Sequence, residues 1–102
     1  MYITLKEAKA HLNIDDELFK EDDGYILTLI EMAEDALSGE INRSLSDCLD
    51  ERTGELASSL RHAIKLLVGT AYNFRESITV QNVRSIPFYD QLIAPYRKHA
   101  IG

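Results

Sequence analysis

The sequence predicts an all-α fold: a small bundle of two long antiparallel helices and two short ones, with an irregular arm before the last helix. Three observations carry this. Apolar residues recur with helical spacing over 22–42 and again over 55–76. A helix-start signature stands at the beginning of the chain. No segment alternates strand and helix patterns, as a parallel sheet would require. The 102 residues suit one domain spanning 1–102.

Thr4-Leu5-Lys6-Glu7 fits a capping box, in which the threonine hydroxyl accepts from the backbone of Glu7 and the glutamate reaches back. Tyr2 or Ile3 stands before it as a staple. Leu5, Ala8 and Leu12 mark one face of a helix over 5–12, with Asn13 as its stop. Residues 13–21 are acidic and read as a loop or single turn. Asp22 or Asp23 caps the next helix, over 22–42, whose buried stripe is Ile26, Leu29, Ile30, Ala33, Leu37 and Ile41. Its opposite face carries Glu31, Glu34, Asp35 and Glu40. Residues 43–54, rich in Ser, Asp, Thr and Gly, read as a connection.

The second long helix, over 55–76, has a stripe of Leu56, Leu60, Ala63, Ile64, Leu67, Ala71 and Phe74, widened by Leu66, Val68 and Tyr72. A stripe this wide predicts burial on more than one side, within the domain or against a neighbouring subunit. Gly69 and Ala71 are small enough for another helix to approach closely. The helical period lapses over 77–85, where Ile78, Thr79 and Val80 suit an extended arm that needs a partner. Pro87 suits the first turn of a last helix, with Phe88, Leu92 and Ile93 as its apolar side; Ala94-Pro95 ends it.

Composition excludes several classes. No apolar run approaches the ~18–20 residues of a membrane helix, and the amphipathic start lacks the apolar stretch of a signal peptide. With a single cysteine, Cys48, no internal disulfide forms, which points to a cytosolic setting. Cys48 reads as a small buried apolar residue, since Asp47 and Asp50 disfavour its thiolate. His11, His62 and His99 lie far apart in sequence without metal-ligand spacing, and read as surface or boundary residues. The acidic run ending at Gly24 fails as a calcium loop: Phe19 falls at the first ligand position and Ile30 at the twelfth. No phosphate loop and no set of nucleophile, base and stabiliser appears, so neither an enzyme nor a cofactor is expected.

Charge is divided along the chain. Residues 1–55 hold five Lys/Arg against fifteen Asp/Glu, and residues 56–102 hold six against two. These balances of −10 and +4 sum to the net −6. Unlike ends suit head-to-tail association between copies, which closes into rings or extends into filaments. The plainer alternative is two solvated faces. An acidic chain is a poor fit to loose nucleic-acid binding.

Taken in order, several segments resemble a known family. They are the opening Met1–Lys9, the helix Tyr25–Ala36 with Asn42-Arg43-Ser44-Leu45 after it, and Leu60–Ala71 running into Tyr72-Asn73-Phe74-Arg75-Glu76-Ser77. Ile86-Pro87-Phe88 and Leu92-Ile93-Ala94-Pro95-Tyr96-Arg97 complete the set. The chain resembles the head–tail connector family of long-tailed bacteriophages and their prophages, over nearly its whole length. The resemblance implies a small all-α adaptor in the virion neck, assembled in the bacterial cytoplasm. It would form a ring, expected to have twelve subunits, below the portal protein. The ring would extend the DNA channel and offer a platform to the next neck or tail protein, without catalysis or cofactor.

On that reading, Arg75, Glu76, Ile78, Val80, Phe88, Tyr96 and Arg97 are candidates for contact with a neighbour or the portal. Arg75 and Glu76 would form ion pairs, 77–85 would be the arm, and Tyr96 would anchor the basic tail. Glu31, Glu34 and Asp35 are candidates for the channel wall, where acidic groups let DNA slide without sticking. The rival readings are a DNA-binding or DNA-packaging accessory module built on a helix-turn-helix, and a dimeric helical regulator of a cytosolic enzyme.

Overall fold

A computed structural model describes residues 2–14, 20–74, 86 and 88–97. Among them the chain forms four α-helices and no strand: α1 (Leu5–His11), α2 (Asp23–Ile41), α3 (Ser58–Phe74) and α4 (Tyr89–Ile93). Two 3-10 turns, Leu45–Cys48 and Ala94–Tyr96, complete the order. The all-α expectation holds, and α2 and α3 pack together as the centre of the bundle.

The capping box forms as the sequence predicts. Thr4 Oγ1 accepts from the Glu7 amide at 3.0 Å, and the Thr4 amide donates to the Glu7 carboxylate at 3.3 Å. Helix α1 ends at Leu12, and Asn13 takes up a left-handed backbone, φ 60°. Asn42 stops α2 in the same way, φ 57°. A short polar side chain tolerates that region better than most, which suits asparagine to both stops.

The stripe expected of α2 is its buried set: Ile26, Leu29, Ile30, Ala33, Leu37 and Ile41. The wide stripe of α3 is used within the chain. Leu60, Ala63, Ile64, Leu67, Val68 and Ala71 are all buried, because α1, α2 and α4 each pack on α3. Of the two alternatives, burial within the domain is the one these residues show: three helices of the same chain pack on them. Side chains of α1 come close to Gly69, where a β-carbon would lie 3.2 Å from His11 Nε2.

The 43–54 connection is more ordered than its composition suggests. Ser44 starts the 3-10 turn, burying Leu45 and Cys48. Leu49 and Leu56 then form an isolated antiparallel bridge, flanked by hydrogen bonds from Asp50 N to Glu55 O (2.7 Å) and Ala57 N to Cys48 O (3.2 Å). Leu56 is buried here, before α3 begins at Ser58. Helix α4 starts at Tyr89 with Phe88 at its N-cap, and the expected Pro87 start lies outside the described residues; Tyr89, with Ile93, takes the core position expected of Phe88.

Candidate interaction surfaces

Helix α3 carries Arg61 and Lys65 one turn apart on the side facing α1. Arg61 reaches the Glu7 carboxylate by a short hydrogen bond, and Lys65 Nζ lies 3.5 Å from the same group. Arg61 also approaches Glu55 at 3.3 Å. Burial alone would raise the pKa of Glu7. The hydrogen bonds from Arg61 and the Thr4 amide, with the charges of Arg61 and Lys65, outweigh it and hold the carboxyl below its ordinary value. Beside this seam His11 and His62 meet edge to face, with ring centroids 6.2 Å apart. Both are exposed, as expected, but the fold joins two histidines that the sequence separates by 51 positions. Burial first, then the positive neighbours His62 and Lys65, push the His11 pKa down.

A second seam joins α1 to the start of α2. Lys9 is fully buried, its ammonium 2.7 Å from Asp23 Oδ1. Sequence reasoning missed it, since a lysine on a short polar helix carries no signal of burial. Asp22 stands at the N-cap position of α2 without capping through its side chain; its carboxylate accepts the Tyr72 hydroxyl of α3 at 2.6 Å.

The end of the described chain is clasped to the end of α2. Arg97 lies 3.2 Å from Glu40 and 3.7 Å from Asp90. Arg43 donates to the Tyr96 carbonyl at 3.4 Å. Tyr96 is half-buried against the core, so it and Arg97 both engage their own chain. Beneath them the hydroxyl of buried Tyr89 has no hydrogen-bond partner. Burial, with the nearby charges of Glu40 and Asp90, pushes its pKa up against the opposing charge of Arg97.

Of the expected contact residues, Arg75, Glu76, Ile78 and Val80 lie outside the described residues. Phe88 does not: it is 74% exposed, in a left-handed backbone with φ 65°. On α2, Glu31 and Asp35 are exposed, while half-buried Glu34 accepts the backbone N–H of Tyr2. Met32 stands among them, exposed. Leu49 is exposed between two open grooves of about 370 Å³ each. One is lined chiefly by Tyr2, Ile3, Gly54, Glu55 and Leu56, the other by Arg43, Asp47, Ala57 and Tyr96. Among the described residues no group of three or more His, Cys, Asp or Glu is placed to hold a metal ion, and no helix is long and apolar enough to cross a membrane.

One family model, described as phage gp6-like head-tail connector protein, matches residues 2–100. No curated protein and no solved structure matches the chain. With nearly the whole length matched, the chain belongs to the gp6-like head-tail connector family of phages, whose role is structural rather than enzymatic and whose place is the virion neck.

Proposed function

We propose that this chain is a ring-forming adaptor between the portal protein and the next neck or tail protein, and that it lengthens the passage for DNA. The observation that carries the reading is the family match over residues 2–100. Physical features of the chain support it. The apolar stripes of α2 and α3 are spent inside the protomer, so contacts between copies fall on the small exposed features that remain. Small contacts are weak singly, and closure into a ring multiplies them. Twelve copies are expected from the family.

Glu31 and Asp35, exposed on α2, are the candidates for the wall of the passage. Carboxylates there repel phosphate and keep DNA from adhering. Glu34 would act beside them while also holding the Tyr2 amide. Three of the cations nucleic-acid binding would need are already engaged: Arg61, Lys65 and Arg97 each lie beside a carboxylate.

Electron microscopy of the purified protein, alone and mixed with its portal, tests the reading. Closed rings in either sample are the expected result; their absence from both overturns it. Mobility shift of short duplex DNA at low salt is a second test. Tight, salt-sensitive retardation by the free protein would favour a DNA-binding module instead.

A further inference from the structure

We propose that the turn Ala94–Tyr96 is a latch with two positions, set by which donor holds the Glu40 carboxylate. In the closed position Arg97 holds it, as in the structure. In the open position Arg97 has withdrawn and the hydroxyl of Tyr89 takes its place. The exchange belongs to a single copy of the chain, so it goes beyond the adaptor reading without depending on it.

Tyr89 supplies the first observation. Its side chain is 1% exposed, and its hydroxyl has no hydrogen-bond partner among the described residues. A buried polar group in that state costs free energy, and native folds seldom leave one without a reason. Burial raises the pKa of the hydroxyl, and Glu40 is the strongest of the charges that raise it further. The group therefore keeps its proton, and offers a donor near a carboxylate that another residue occupies.

Glu40 supplies the second. It stands one residue before the end of α2, where the helix dipole is negative and a carboxylate gains from a donor. Its side chain is 20% exposed, and Arg97 lies 3.2 Å from it. Arg97 is itself 38% exposed and is drawn also toward Asp90, at 3.7 Å. The turn is tied further by Arg43, whose guanidinium reaches the Tyr96 carbonyl at 3.4 Å. Long or partly solvated contacts of this kind hold weakly.

The opposite end of α2 shows the completed arrangement. There Tyr72, from α3, gives its hydroxyl to Asp22 at 2.6 Å, and Asp22 forgoes capping the helix through its side chain. Each end of α2 thus brings together a carboxylate and a tyrosine from another helix. The bond is made at one end, and Arg97 stands in its way at the other. Opening the latch makes it, and so offsets part of what the lost ion pair costs. Opening also frees Tyr96 and Arg97, which the closed form ties to their own chain.

A double-mutant cycle on the free protein, read by denaturant unfolding, tests the exchange. In the natural chain Tyr89→Phe should be neutral or stabilising, since it removes an unpaired buried hydroxyl. Arg97→Met keeps the apolar stem and deletes the competing donor. In that background Tyr89→Phe should lower the folding equilibrium constant about tenfold, because there the hydroxyl holds Glu40. A second readout is the ζ-carbon resonance of Tyr89 in isotope-labelled protein, assigned by its loss in Tyr89→Phe. It should shift on Arg97→Met and return when Glu40→Ala is added. Equal effects of Tyr89→Phe in the two backgrounds would overturn the inference, since Glu40 then never takes the hydroxyl. A destabilisation already present in the natural chain would overturn it too, because the hydroxyl is then bonded in the closed form, to a buried water for instance. Neither outcome bears on ring formation, which electron microscopy decides separately.

Discussion

The acidic first half and the basic second half differ less on the folded surface than in the sequence. Residues 56–102 contain six cations, of which Arg61, Lys65 and Arg97 are described. All three lie against carboxylates of the first half: Arg61 against Glu7 and Glu55, Lys65 against Glu7, Arg97 against Glu40. The first half by contrast keeps Glu21, Glu31, Asp35, Asp47, Asp50 and Glu51 exposed. Charge separated along a chain is thus partly a folding instruction, because opposite halves are brought together before any neighbour arrives. The second half's other cations, Arg75, Arg84 and Lys98, lie outside the described residues.

The largest effect should come from the apolar seam between the halves. Leu67, on α3, is 2% exposed. Leu67→Ala should cost roughly 2–5 kcal/mol in denaturant unfolding, and a loss under ~0.5 kcal/mol would remove it from the core. Next comes the buried pair inside the first half. Asp23→Ala takes a carboxylate from a fully buried ammonium, and should cost about 3 kcal/mol by the same measurement. Near-wild-type stability would mean that Lys9 escapes to water.

The ion pairs that join the halves should matter less, since Glu7, Arg61 and Lys65 are each about a quarter exposed. Glu7→Gln should cost about 1 kcal/mol or less after solvent screening, and its effect should depend on pH. A lowered carboxyl pKa in the fold means that the unfolded chain binds the proton more readily. The contribution is therefore complete above the ordinary carboxyl value and is lost as pH falls through the lower folded one. His11 has the same sign: its neutral form is favoured in the fold, so its contribution is lost as pH falls from about 6.5 toward its depressed value. As pH falls, a thermal midpoint should decline first through the His11 step and then through the Glu7 step, and Glu7→Gln should flatten only the more acidic part. Smallest of all, Asp35→Ala on the exposed face of α2 should change stability by less than ~0.5 kcal/mol. A larger loss would show that the first half's surface charge is also engaged.

Local physics made much of the fold legible. The capping box, the six buried positions of α2 and the left-handed stop at Asn13 each follow from residues within one or two turns of one another. What escaped depends on distant partners. Lys9 is buried because Asp23 arrives from another helix. Asp22 gives up capping because Tyr72, fifty positions on, offers a hydroxyl. Leu56 pairs with Leu49 instead of opening α3, since the bridge forms across a turn that composition marks only as irregular. Of the candidate contact residues, Phe88 stood out as apolar, but nothing in its neighbourhood foretold that Tyr89 would take the interior place and turn it outward. Tyr96 and Arg97 looked free because they sit near an end; the fold uses them to close its own C-terminal turn.

Gly69 sets the height at which the first helix sits. With no β-carbon on α3 at that point, the imidazole of His11 rests close to bare backbone, and a single methyl there would meet Nε2 at 3.2 Å. Alanine would have to nudge the ring aside, and a branched residue would lever α1 outward, carrying with it the Lys9 and Glu7 pairs that sit on the same cylinder. One missing atom thereby governs the alignment of both electrostatic seams at once.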